Sequence, residues 1–106
     1  MIVTTTPEIA GKRIARTLGM VRGNTVRARH LGRDLMAALR NIVGGEVPEY
    51  TKLMAEAREQ AVDRLVEDAE SLGADAVVEV RFSTSMVATG AAELLVYGTA
   101  VTLEDA

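Results

Sequence analysis

The sequence predicts an α+β fold: a small, mainly antiparallel sheet carrying one short and one long amphipathic helix, in the order β-β-α-α-β-β. Three observations predict it. Short β-branched or alternating segments stand at both ends of the chain. A long stripe of apolar residues at helical spacing fills the middle, and an apolar fraction of 48% is enough for a packed core. Strands followed by helices followed by strands make the class α+β rather than α/β. At 106 residues the chain fits one domain, residues 1–106.

Ile2-Val3-Thr4-Thr5 is β-branched and stops at Pro7, so it reads as a first strand. Lys12 to Arg22 alternates imperfectly, with Ile14, Leu18 and Met20 on one face, and reads as a second strand. Gly23-Asn24 then offers a turn or bulge, and Thr25 to Arg29 is extended. Asp34 precedes Leu35, Met36, Leu39, Ile42 and Val43 at 3–4 spacing, a short helix stopped by Gly44-Gly45. Pro48 suits a first helical position and Gly73 a residue just past a helix end. Between them Tyr50, Leu53, Met54, Ala57, Ala61, Leu65, Ala69 and Leu72 form one stripe, opposite a face rich in Glu and Asp. That helix runs for about 25 residues, roughly 37 Å at 1.5 Å per residue.

Ala76 to Thr84 sets Val78, Val80 and Phe82 against Glu79, Arg81 and Ser83 as a third strand. A loop around Thr89-Gly90 leads to a last strand, Glu93 to Leu103. Leu94, Val96 and Ala100 lie on one face of that strand, and Leu95, Tyr97, Val101 and Leu103 on the other. A strand apolar on both faces requires cover on both sides. Only Tyr50, Phe82 and Tyr97 are aromatic, so Val, Leu, Ile, Met and Ala must fill a lean core. Burial between copies of the chain would make up the deficit, and homo-oligomerisation is expected.

Net charge is −3, but residues 1–45 carry +6 and residues 46–106 carry −9. Two complementary halves that meet within or between subunits fit an acidic chain better than a nucleic-acid surface does. The absence of cysteine excludes disulfides, thiolate metal sites and a cysteine nucleophile. The first residues resemble no signal peptide and no apolar run approaches the roughly 20 residues of a membrane span, so a cytoplasmic protein is expected.

The residues Thr4-Thr5-Thr6, Gly19-x-Val21-Arg22-Gly23, Gly32-Arg33-Asp34, Leu39-Arg40-Asn41-x-Val43-Gly44-Gly45-Glu46, Gly73-Ala74-x-Ala76-Val77-Val78, Val80-Arg81-Phe82 and Tyr97-Gly98-Thr99-Ala100 run nearly from end to end. In order and spacing they resemble the YbjQ-like family of bacterial and archaeal proteins, which is labelled for heavy-metal binding. The resemblance implies a compact α+β subunit in a pentameric ring. Asp75, Glu79 and Ser83 depart from the family pattern, which has Asn, Gly and Asp there.

Soft metals prefer thiolate, thioether and imidazole ligands, and this chain offers one histidine, His30, flanked by Arg29 and Arg33. Met20, Met36, Met54 and Met86 read as core fillers. A hard-cation site built by Asp34, Glu46 and Glu49 around a symmetry axis stays open, so a metal ion is the one cofactor left to consider. Arg22, Arg27, Arg29, Arg33, Asp34, Arg40 and Glu46 form the candidate interface or anion site, where guanidinium forks could hold phosphate or carboxylate or pair with acids of the next subunit. No aromatic residue is interleaved for base stacking. Gly44-Gly45-Glu46 lacks the Lys-Ser/Thr of a P-loop, and Ser/His/Asp catalysis has no support. The preferred reading is a ring-forming binding or scaffold protein. Metal or small-anion binding between subunits, or an enzyme at an intersubunit cleft, are its alternatives.

Overall fold

The computed structural model describes residues 1–28, 48–88 and 91–106. Strand β1 is Ile2–Val3, β2 is Lys12–Ala28, helix α1 is Pro48–Ser71, β3 is Ala76–Ala88 and β4 is Ala91–Asp105. The four strands form one mixed sheet in the order β1-β3-β4-β2. β1 pairs in parallel with β3, while β3 and β2 both run antiparallel to the central β4. The α+β class is therefore as expected, with one helix among the described residues. The short helix expected over Asp34–Val43 lies outside them.

The helix follows its stripe. Ala57, Ala61, Leu65 and Ala69, four residues apart, are buried to 1% or less, and three of them are alanine. Small side chains let the helix lie close on the sheet, and what lies beneath it is Gly23. A Cβ built there would press on the Ala61 carbonyl oxygen and come 2.5 Å from the Leu65 nitrogen. The expected turn at Gly23-Asn24 is thus corrected. β2 runs straight through, paired residue by residue with β4 from Gly19↔Ala100 to Ala28↔Ala91. This glycine admits the helix backbone rather than reversing the chain. Thr25, buried next to it, donates its hydroxyl to the Ala57 carbonyl at 3.3 Å and ties strand to helix.

The helix ends as Gly73 predicts. That residue has φ 76°, its N–H donates to the Glu70 carbonyl at 3.0 Å, and the Ala74 N–H donates to Ala69 at 3.1 Å. These are the two bonds of a Schellman stop.

One core lies between helix and sheet, made of Val21, Val77, Val80, Leu94, Val96 and Ala100 with the helix residues above. A second, on the opposite face, joins Ala76, Val78 and Val101 to Ile9 and Leu103. The two-faced β4 is therefore covered on its second side, in part, by the chain's own segment after β1. Val78 and Val80 fall in different cores, against the expected alternation. The reason is a bulge between Val78 and Arg81, where Glu79 takes φ 56° and turns the following residues over.

Candidate functional site

The helix lies over β2 and, less, over β4, and scarcely meets β3. Beyond the bulge β3 is on its own: every residue from Arg81 to Ala88 is exposed. Among the described residues its outer edge has no strand partner there. The segment after β1 last bonds it where the Val80 and Glu79 N–H groups donate to the Thr4 and Thr6 carbonyls. The Arg81 guanidinium closes that end by donating to the Thr5 carbonyl at 2.9 Å. Residues 22–28, 81–88 and 91–97 thus make a three-stranded arm with large exposed apolar side chains. Phe82 is 48% exposed, Met86 80%, Val87 57% and Val26 54%.

The register defines the arm's two faces. Phe82 pairs with Val96 and Met86 with Ala92, so both project on the helix side of the sheet. On the far side, cross-strand rows read Arg81–Tyr97–Arg22, Ser83–Leu95–Asn24 and Ser85–Glu93–Val26. Arg22 and Arg27 are therefore on opposite faces of β2, and the structure does not bring these two candidate site residues together. Arg22 lies beside Tyr97. Arg27 lies on the helix side, where its Nη2 donates to Gln60 Oε1 at 2.7 Å and its buried Nε has no partner among the described residues. Arg29, Arg33, Asp34, Arg40 and Glu46 lie outside the described residues.

Opposite charges from the two halves of the sequence do meet, at the other end of the sheet. Lys12 pairs with Asp105 at 2.8 Å and Arg13 with Glu104, matching the strand register. These pairs are exposed and contribute little, roughly 0–1 kcal/mol each. Beside them is a cleft of about 450 Å³ lined by Glu8, Ile9, Lys12, Arg13, Ile14 and Ala106. Its two cations are already engaged by Asp105 and Glu104, so it offers little to an anion.

The candidate residues expected from the sequence lie in the arginine-rich stretch, and none of them lies on the β3 strand of the arm. The signal was present in Phe82–Ala88, seven residues with no charge, proline or glycine.

Compared with known proteins, residues 1–104 match the model of the family described as "Putative heavy-metal-binding". The chain is 64% identical to a UPF0145 protein of Methanosarcina acetivorans over 101 residues, 95% of each chain. A UPF0145 protein of Thermus thermophilus is 56% identical over 106 residues, all of this chain and 93% of its own. One of Clostridioides difficile is 51% identical over 105 residues, 99% of this chain and 94% of its own. These names specify no activity. A crystal structure of a protein of unknown function from Pediococcus pentosaceus superposes with a TM-score of 0.66, covers 98% of both chains and is 17% identical, a likeness of fold.

The donors fit the family's description poorly. The chain has no cysteine, and its one histidine, His30, lies outside the described residues. Among the described residues no three His, Asp or Glu side chains gather. The exposed thioethers of Met20 and Met86 lie on opposite faces of the sheet. Nor, among those residues, is any helix long and apolar enough to cross a membrane.

Proposed function

The chain belongs to the YbjQ-like family, and from that premise we propose that it is the repeating subunit of a ring-like homo-oligomer serving as a binding scaffold. The arm carries this reading. A chain of 100 residues folded compactly has a radius of gyration of about 13 Å. This one reaches 17.2 Å and measures 55 × 24 × 16 Å. The excess length is the arm, whose Phe82, Met86, Val87 and Val26 hold apolar surface against water with little cover from their own subunit. Phe82 and Met86 share the helix side of the arm and Val26 lies on the far side; exposed apolar surface of this kind marks an interaction site, and a second copy is the partner always present. The pentameric count comes from the family resemblance. Metal or anion binding belongs to the assembled particle in this reading, at places where subunits meet.

Light scattering on purified protein at micromolar concentration tests the reading. A single species several times the 11.3 kDa subunit mass is expected. A monomer across that range would overturn it.

A further inference from the structure

We propose that Gln60, Arg64 and Asp68 of α1 form a clasp that closes the β2 edge of the sheet and keeps a further strand from adding there. The inference goes beyond the self-assembly proposed above and does not depend on it.

The outermost strand of a sheet turns N–H and C=O groups outward, where they are a template for another strand. β2 is outermost on its side, with β4 as its one strand partner among the described residues. In an antiparallel pair, alternate residues direct both backbone groups away from the partner. Arg22 and Asn24 stand two apart on β2, and each gives a backbone group to the helix. The Arg22 N–H donates to Asp68 Oδ2 at 3.2 Å, and the Asn24 carbonyl accepts from Arg64 Nη1 at 2.5 Å. One turn before Arg64, Gln60 Oε1 accepts from Arg27 Nη2 at 2.7 Å.

Gln60, Arg64 and Asp68 are four residues apart and so form one row along the helix. The row runs beside the buried one, Ala57, Ala61, Leu65 and Ala69. Burial of the second row fixes α1 on the sheet, and the polar row then overhangs the β2 border. By its composition the polar row belongs to a face turned to water. In the fold it satisfies backbone groups of a strand.

Gly23 lets the row reach. A Cβ built there would come 3.0 Å from Arg64 Cβ, besides pressing on the helix backbone. The arginine stem therefore leaves the helix directly over the strand, one residue from the carbonyl that it holds. Earlier in β2 the protection is of another kind: register breaks between Ile14 and Arg16 and between Thr17 and Gly19 interrupt the edge. The clasp takes over in the regular stretch that follows. Irregularity and clasp together cover β2 from Ile14 to Asn24.

The test removes one cation and one carboxylate, so net charge is unchanged. With the clasp gone, the edge can pair with the same edge of another copy. Light scattering of Arg64→Ala/Asp68→Ala at micromolar concentration should therefore shift to species larger than the parent's own. Arg58→Ala/Glu67→Ala removes the same charges from exposed residues of α1 outside the row and should keep the parent's size. Circular dichroism matching the parent qualifies both variants. A folded Arg64→Ala/Asp68→Ala of parent size would overturn the proposal, and so would equal growth of the control. Should the double variant fail to fold, Arg64→Ala alone leaves the Asp68 bond in place and carries the same comparison against Arg58→Ala. Amide exchange gives an independent reading. In Asp68→Ala, exchange at the Arg22 N–H should quicken about tenfold or more, the loss of one hydrogen bond to a charged group. An unchanged rate would overturn the clasp. Every comparison is with the parent's own size, so a monomeric parent would sink the ring and leave the clasp standing.

Discussion

Glu79 sits where a side chain is a cost. Its φ of 56° is left-handed, a region that costs a non-glycine residue roughly 1–2 kcal/mol. Its carboxylate is 3.9 Å from the Arg81 guanidinium, with both side chains about half exposed, and so recovers little. Glycine is also the residue that the resemblance to the family leads one to expect at this position. Glu79→Gly should therefore raise stability by about 0.5–1 kcal/mol, part of the gain being offset by glycine's greater freedom in the unfolded chain. At that size the melting temperature rises by a few degrees. Thermal melts of parent and variant at equal protein concentration check it, and an unchanged or lower midpoint would mean that the Glu79 side chain is held by more than Arg81. The neighbouring departure, Ser83, now has a place too: it stands in the open row with Leu95 and Asn24, where the family's aspartate would put a charge on the arm.

At the scale of elements, the helix–strand contact sets the tolerance. Gly23→Ala would place a methyl group against the Ala61 carbonyl and the Leu65 nitrogen, backbone atoms that cannot swing away. The helix would have to lift from β2, so the variant should lose more than the 1–3 kcal/mol usual for overpacking, measured as a fall in urea midpoint. Leu65→Ala, which hollows the same contact, should cost about 2–5 kcal/mol. If Gly23→Ala proved neutral, the close approach would not be holding the helix where it is. The same contact shows what could be read in advance. The stripe from Ala57 to Ala69 was legible because a helix's period is written in its own residues. Gly23 was not, because a strand glycine and a turn glycine look alike until the partner overhead is known. The bulge at Glu79 stayed hidden for a similar reason. Nothing in Val78-Glu79-Val80 announces a left-handed residue, and one such residue moved Val78 and Val80 into separate cores. As for the candidate site, spacing alone placed Arg22 and Arg27 in one basic stretch. Only the continuity of β2 reveals that five residues put them on opposite faces.

At the scale of the whole molecule, the body and the arm differ in what supports them. The body has its two cores, one on each face of the sheet. In the arm, α1 covers β2 and β4 through Thr25, Leu94 and Val96, while β3 from Arg81 on has only its cross-strand pairs with β4 and exposed apolar side chains, and a strand held that way is marginal alone. Folding of the arm and assembly should therefore be linked by mass action, with a melting temperature that rises with protein concentration. Phe82→Glu separates the two parts. The residue is 48% exposed in the subunit, so the substitution leaves the core beneath α1 intact, and the body's helical signal in circular dichroism should persist. In the assembly the same glutamate would be buried at the contact with a neighbouring subunit. Losing one buried phenylalanine costs about 1.5–3 kcal/mol, roughly a 10- to 150-fold weaker contact, before any penalty for the charge. Light scattering should then show smaller species at concentrations where the parent is assembled. An assembly that tolerates glutamate at this position would place Phe82 outside the contact and require another surface of the arm to make it.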